Sequence, residues 1–239
     1  MTEANPSVPR RWSEGRILLW FVLFALVIVI FGPPYLHAFR PPDGTVGDFH
    51  QEWLSARNFA EGGPVYADQR ELARRFLGAP PERAAKMIPW NAHPPVAATL
   101  ALPFGRFPYA QAHLFWNLVN LPLLVLAVVA IVRATRLPFA PPSVLPLGVV
   151  LVGWYALYSQ IQHGQLNIVI MALVAAAFLL EQRSRSVGTG LAIGAAAAIK
   201  LFPAFLFLYF VSTRNIRAIV AGGTAFLALN VVALAVLGP

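Results

Sequence analysis

Asp48 is the residue whose type and position first suggest chemistry. It lies in the sequence Gly-Asp-Phe-His-Gln-Glu-Trp at 47–53, about nine residues after a long apolar run. A carboxylate there can act as a general base. The pattern alone favours a different role, because Asp48 followed three residues later by Gln51 resembles a capping box. The two roles compete, since a carboxylate that accepts hydrogen bonds from helix amides has a lowered pKa and is a weaker base.

A second polar stretch is Pro-Trp-Asn-Ala-His-Pro-Pro at 89–95. Here Asn91 and His93 stand beside a rigid Pro-Pro pair. His93 could bind an anionic headgroup or relay a proton. The alternative, which the spacing favours, is a polar turn with Trp90 in the aromatic belt of a membrane.

A third polar stretch is His-Gly-Gln-Leu-Asn at 163–167. Its hydrogen-bonding side chains, His163, Gln165 and Asn167, could hold sugar hydroxyls. A polar turn between two helices explains the same residues equally well.

Lys200 is the fourth candidate, because it interrupts a long apolar segment. An ammonium at the middle of a membrane helix costs about 2.5–3.5 kcal/mol on the insertion scale. Its four-carbon stem could carry the charge to the headgroups. Alternatively, a helix break at Pro203 would present the cation and free amides to a phosphate. The sequence leaves both interpretations open.

The five histidines do not indicate a metal site. They are dispersed along the chain and no His/Asp cluster has the spacing of metal ligands, so we expect neither a metal nor another cofactor. They are His37, His50, His93, His113 and His163.

The composition identifies the membrane as the setting of these residues. Of the 239 residues 58% are hydrophobic and 12% charged, against about 45–50% and about 25% in soluble domains. The formal net charge of +8 comes from basic residues scattered between apolar runs. They form no continuous stripe with interleaved aromatics, so we expect membrane lipids and no nucleic acid as partners.

Apolar runs long enough for a ~30 Å bilayer core predict the spans. They lie at 17–39, 107–132, 137–159, 166–180 and 218–239. Basic residues follow the second and fourth runs, and three arginines precede the first, so the positive-inside rule places the N-terminus 1–16 and these loops in the cytoplasm. The turn at 159–165 is then on the far side.

Residues 40–106 form the long segment outside the membrane, on the extracytoplasmic side. It contains 8 basic and 7 acidic residues, whereas the cytoplasmic segments contain 9 and 3. Phe49, Trp53 and Ala56 recur at helical spacing and predict an amphipathic helix. A second short helix is predicted at 68–77, and the proline-rich stretch 87–105 is predicted to lie in the interface.

Residues 186–213 are apolar except for Lys200, with arginines on both sides. If both basic loops are cytoplasmic, the segment cannot cross once, and a re-entrant pair of short helices that breaks near Lys200 is favoured. The alternative is one kinked span.

Three groups of motifs carry a resemblance to a known family, from about Gly15 onward. They are Gly-Asp-Phe at 47–49 with Gly-Gly-Pro-Val-Tyr at 62–66; His-Pro-Pro at 93–95 with Trp-Asn at 116–117; and Gly-Gln-Leu-Asn at 164–167 with Lys-Leu-Phe-Pro at 200–203 and then Arg214 and Arg217. In order and topology the chain resembles glycosyltransferase family 87 of the GT-C superfamily, the bacterial polyprenyl-phosphate-mannose-dependent mannosyltransferases. The family commonly has Tyr where this chain has His93.

The resemblance implies an all-α, polytopic membrane protein with a GT-C-like helix bundle and a helical extracytoplasmic first loop, in the bacterial cytoplasmic membrane. It implies inverting transfer of a hexose, mannose first, from a polyprenyl-phosphate donor, with Asp48 as general base. Lys200, Arg57 and His93, in that order, are the implied donor-phosphate residues. The residues implied for sugar or acceptor binding are Asn91, His163, Gln165 and Asn167.

Members of the family that the chain resembles are longer and continue with further spans beyond the position of Pro239. We therefore expect the chain to be truncated at its C-terminus. Other functions stay open at this point. They are a lipid-phosphate transferase of different chemistry, a transporter or channel, and an inactive truncated scaffold. A transporter would predict facing polar residues at mid-membrane and repeat symmetry, and the sequence has no apparent repeat.

Overall fold

The computed structural model describes residues 13–41, 48–138 and 140–238. Most of the predicted N-terminal segment, Gly47 and Pro239 lie outside these residues. All regular structure in the described ranges is helical, which confirms the predicted all-α class. The α-helices are α1 (Glu14–Ala38), α2 (Asp48–Ala60), α3 (Gln69–Leu77), α4 (Pro81–Ala85), α5 (Pro95–Ala101), α6 (Tyr109–Ala134), α7 (Pro141–Gly153), α8 (Tyr155–His163), α9 (Asn167–Gln182), α10 (Ser186–Ile199), α11 (Phe207–Ser212) and α12 (Ile216–Leu237), with short 3-10 helices at Leu102–Phe104 and Phe202–Leu206.

The apolar helices have the lengths that a bilayer requires. Within the described residues α1, α6 and α12 are each long and apolar enough to cross a membrane, and the bent pair α7–α8 makes a fourth if it is one span. Their exposed side chains are largely Leu, Val, Ile and Phe. Because such a surface is stable in lipid and not in water, the chain is a multi-pass membrane protein.

The third predicted span differs from the structure. The sequence predicts one run at 137–159, but α7 ends at Gly153 and α8 begins at Tyr155, with a bend of 57° between them. Trp154, between the two helices, has an extended backbone (φ −85°, ψ 112°). Gly153 at the end of α7 and Pro146 within it are poor helix formers, which favours the break. The turn that follows begins at Gly164.

Residues 48–106, named the cap here, contain α2 to α5. Helix α2 packs against α3, α5 and the first 3-10 helix, and Trp53 Nε1 donates a hydrogen bond to the Phe107 carbonyl (3.0 Å). Helix α5 also packs against α10 and α12. The cap is therefore attached to α10, the helix that Lys200 follows directly.

One hydrophobic cluster, named the central cluster, connects the cap to the bundle. Its buried members include Phe49 of α2, Val96 of α5, Leu166 before α9 and Ile199 of α10. Burial of these side chains contributes about 25 cal/mol per Å² of apolar surface. The cluster thus fixes the ends of four elements next to one another.

Helix α10 packs closely on α12 and ends before Lys200. A Cβ on Gly194 would lie about 2.1 Å from the Gly222 carbonyl oxygen, so the two backbones touch. Helix α10 stops at Ile199, and Lys200 has an extended backbone (φ −150°, ψ 129°). Pro203 lies inside the following 3-10 helix, where it cannot donate the backbone hydrogen bond that would continue α10.

Candidate functional site

The first three turns of α2 present a polar face to the segment 91–93. Gln51 Oε1 accepts a hydrogen bond from the Ala92 amide (3.2 Å). The Asn91 side-chain amide donates to Glu52 Oε2 (3.3 Å) and to Ser55 Oγ (3.1 Å). Residues three and four apart lie on one face of a helix. The segment is therefore held against the side of α2 on which Asp48 also lies.

Glu52 is a buried carboxylate at the centre of this contact. Its side chain is 1% exposed, and its Oε1 lies 2.5 Å from His93 Nδ1. The Tyr66 hydroxyl donates to the His93 carbonyl oxygen (3.2 Å). Burial, and next the charge of Glu52, raise the pKa of Tyr66, so this hydroxyl keeps its proton.

Asp48 is the first residue of α2 and is half-buried. It precedes Glu52 by one helical turn, a separation of about 5–6 Å between Cβ atoms. The side chain of Gln51, which a capping box would turn back to the start of the helix, accepts from Ala92 instead. This contact weakens the capping-box interpretation of the Asp48 to Gln51 spacing.

The turn between α8 and α9 packs directly against the start of α2. Gly164 has φ +62°, and a Cβ there would lie 2.6 Å from Phe49 Cβ. Trp116 Nε1 donates to the Gly164 carbonyl (2.8 Å). Only glycine fits this combination of left-handed backbone and close contact. His163 and Gln165 therefore flank Gly164, which touches Phe49, the residue that follows Asp48.

Lys200 is connected to the same turn by hydrogen bonds. Its Nζ donates to Asn167 Oδ1 (3.3 Å), and Asn167 Nδ2 donates to Gln165 Oε1 (2.9 Å). Gln160 Nε2 also donates to Gln165 Oε1. Lys200 is partly buried, and it follows Ile199 of the central cluster directly.

Arg57 lies away from this group. Nine residues of helix separate it from Asp48, about 13.5 Å at 1.5 Å per residue. Its Nε pairs with Glu61 (3.1 Å), and its Nη1 donates to the Gly105 carbonyl (3.4 Å). The guanidinium thus holds the cap together and is not brought to Lys200 by these contacts.

His50, also on α2, is buried against the Tyr109 ring, with 5.7 Å between ring centroids. Burial lowers its pKa to about 4, so it is neutral at pH 7. Within the described residues no group of three His, Asp or Glu side chains is arranged to hold a metal ion.

The family model for glycosyltransferase family 87 matches residues 91–239. The chain belongs to glycosyltransferase family 87. The resemblance stated from the sequence motifs is thereby confirmed. The matched region contains His93, Gln165, Asn167 and Lys200, while Asp48 precedes it.

One relative of the chain is a mannosyltransferase by name. The chain is 28% identical, over 226 residues, to the polyprenol-phosphate-mannose-dependent alpha-(1-2)-phosphatidylinositol mannoside mannosyltransferase of Mycobacterium tuberculosis strain H37Rv. The alignment covers 89% of this chain and 50% of the relative, so the chain spans about half the length of that protein. No solved structure matches the chain.

In this family 87 chain, the predicted site residues fall into two groups joined by the central cluster. The cap group contains Asp48, Asn91 and His93, and the turn group contains His163, Gln165, Asn167 and Lys200. Sequence reasoning missed Glu52, Ser55 and Gln69, whose Nε2 donates to Ser55 Oγ (3.0 Å). A signal for Glu52 was present, since it lies on the same helical face as Phe49, Trp53 and Ala56, where a charge needs a partner.

Proposed function

We propose that this chain is a membrane glycosyltransferase that uses a polyprenyl-phosphate-linked sugar as donor. The sugar is a hexose, with mannose as the first candidate, and the acceptor is a hydroxyl at the extracytoplasmic face of the bacterial plasma membrane. Family membership and the donor named for the mycobacterial relative support this proposal.

The proposal rests on the positions of the Asp48 carboxylate, the Lys200 ammonium and the His93 imidazole around the central cluster. Asp48 precedes Phe49, Lys200 follows Ile199, and His93 stands three residues before Val96. A half-buried carboxylate and two groups that can carry positive charge suit a reaction that takes a proton from a hydroxyl and releases a phosphate.

The proposed reaction is a single displacement. Asp48 takes the proton of the acceptor hydroxyl while that oxygen forms a bond to the anomeric carbon of the sugar. The bond from the anomeric carbon to the donor phosphate oxygen breaks, and the electron pair leaves with the polyprenyl phosphate. Attack from the opposite face inverts the anomeric configuration. Lys200 and His93 stabilise the charge that develops on the phosphate.

Further residues have supporting roles in this proposal. Gln165, Asn167 and His163 hydrogen-bond sugar or acceptor hydroxyls from the turn. Asn91 holds the segment that carries His93 against α2 through its hydrogen bonds to Glu52 and Ser55. We leave Arg57 out of the proposed donor site, because its guanidinium contacts Glu61 and a carbonyl of the cap.

The experiment is a transfer assay on the purified chain in lipid nanodiscs. Radiolabelled polyprenyl-phosphate-mannose is supplied with a bacterial lipid extract, and labelled products are separated from the donor. Asp48→Asn should lower the rate about 10²–10⁴-fold, as expected for loss of a general base.

Asp68→Asn is the matched control. Asp68 is an exposed acid of the cap whose side chain accepts from the Arg70 amide (2.8 Å) at the start of α3, and asparagine caps a helix equally well. This variant should keep the wild-type rate. Absence of transfer by the wild-type chain, or full activity of Asp48→Asn, contradicts the proposal.

A further inference from the structure

The closest polar contact in the cap is between Glu52 and His93. The Glu52 side chain is 1% exposed and that of His93 is 9% exposed, with Oε1 and Nδ1 2.5 Å apart. A carboxylate removed from water requires a partner that donates to it. The Asn91 amide donates to Glu52 Oε2 (3.3 Å). Glu52 Oε1 and His93 Nδ1 are both buried and lie against each other, and within the described residues neither atom has an aligned hydrogen-bond partner.

The surrounding contacts fix the backbone that carries the imidazole. The His93 amide donates to Asn91 Oδ1 (3.0 Å), and the His93 carbonyl accepts from Tyr66. Pro94 and Pro95 follow and restrict the chain further. A proton on Nδ1 shared with Glu52 would satisfy both of these atoms, and Nε2 is then the ring nitrogen that remains for a ligand.

We propose that Glu52 is a positioning residue for donor binding: its buried carboxylate holds the Nδ1–H of His93, so that Nε2–H meets the phosphate group of the lipid donor. This rests on the proposed function, since the donor is a polyprenyl-phosphate sugar. In the complex an imidazolium lies between two anions, Glu52 and the phosphate. The ring can donate to both anions only when both of its nitrogens carry a proton, so donor binding should be tighter at the lower pH.

The other charged or titratable groups around His93 come from three directions. Asp48 lies one turn before Glu52 on α2. Tyr66 reaches the His93 carbonyl from the loop before α3. Arg70 of α3 is engaged through its Nε with the Met87 carbonyl (2.9 Å). Of these groups, Glu52 is the one in direct contact with the imidazole ring.

The test measures binding of polyprenyl-phosphate-mannose to the purified full chain in detergent at pH 6 and pH 8. This donor is a phosphodiester, whose own charge is constant over that range. The wild-type protein should bind about tenfold more tightly at pH 6. His93→Gln should bind weakly and equally at both values. Glu52→Gln should lose about tenfold in affinity at pH 6 and much of the pH dependence, and Glu52→Asp should recover part of both.

Glu61→Gln is the matched control, because Glu61 follows α2 closely but is paired with Arg57 and Arg75 at the surface. It should bind as the wild type does. Wild-type affinity and pH dependence in Glu52→Gln would overturn the proposal. Binding is measured without transfer, so a chain that binds in this pattern but transfers no sugar would contradict the proposed activity and leave the role of Glu52 intact.

A second measurement decides the case if Glu52→Gln does not fold. In the wild-type chain labelled with ¹⁵N-histidine, the His93 resonances, assigned by their loss in His93→Gln, should have the proton on Nδ1 at pH 8. A proton on Nε2 alone would overturn the positioning role.

Discussion

Replacement of Lys200 by methionine should weaken donor binding without lowering stability. Helix α10 has 14 residues, about 21 Å at 1.5 Å per residue, against a ~30 Å bilayer core. On the proposed topology, with the basic loop at 183–185 in the cytoplasm, the Lys200 ammonium would lie in the outer third of the membrane. Its contact to Asn167 Oδ1 at 3.3 Å partly satisfies it.

The magnitudes follow from this position. An ammonium at the bilayer centre costs about 2.5–3.5 kcal/mol, and one hydrogen bond returns about 1 kcal/mol. Lys200→Met should therefore stabilise the fold by at most about 2.5 kcal/mol. Loss of a charged contact to phosphate costs about 1.5–3 kcal/mol, which corresponds to a Kd about 10- to 150-fold higher.

The assay combines thermal unfolding with titration of polyprenyl-phosphate-mannose in detergent. The control is Lys86→Met, because Lys86 is the other lysine of the chain and lies exposed after α4. It should leave the Kd unchanged. Lys200→Arg should rescue binding only partly, since the planar guanidinium needs different space. An unchanged Kd in Lys200→Met would refute the phosphate role and leave a lysine whose stem reaches the headgroups.

Three further outcomes are expected. In the cysteine-free chain, an impermeant thiol reagent added to intact cells should label a cysteine at Glu71 and not one at Arg185, and the reverse result would invert the proposed topology. Burial lowers the pKa of His50 to about 4 from an unfolded value near 6.5, so stability should be complete above pH 6.5 and fall by about 2 kcal/mol at pH 5. His50→Phe should lack this loss of stability in thermal unfolding experiments. An equal loss in that variant would assign the acid sensitivity to another group. Gly164→Ala should destabilise the protein by about 2–4 kcal/mol, because φ is +62° and the new methyl meets Phe49; unchanged thermal unfolding would show that the turn can move away from α2.

Features that depend on local composition could be predicted from the sequence. Long apolar runs indicated the membrane helices, since length and hydropathy determine which segments a bilayer accepts. Pro203 and the isolated charge of Lys200 indicated a break, and α10 ends at Ile199. Spacing of Phe49, Trp53 and Ala56 indicated the amphipathic helix that is α2.

Features that depend on distant contacts could not be predicted in the same way. The burial of Glu52 depends on segment 91–93, nearly forty residues further along the chain, and no local pattern specifies that contact. The bend at Trp154 lies in a run whose apolar length fits a single span, and its glycines and prolines did not by themselves indicate where the helix would break. For Arg57, residue type alone suggested a phosphate ligand, and its partner Glu61 became visible only in the fold.

The central claim, that the cap and the turn form one donor site, is tested most directly by photoaffinity labelling. A polyprenyl-phosphate-mannose analogue with a diazirine beside the phosphate is bound to the full chain, and the attachment sites are mapped by mass spectrometry. The account predicts labels at 48–52, 91–95 and 199–203, and their loss when unlabelled donor is added in excess. Competable labels confined to the arginine loops at 183–185 and 214–217 would contradict it.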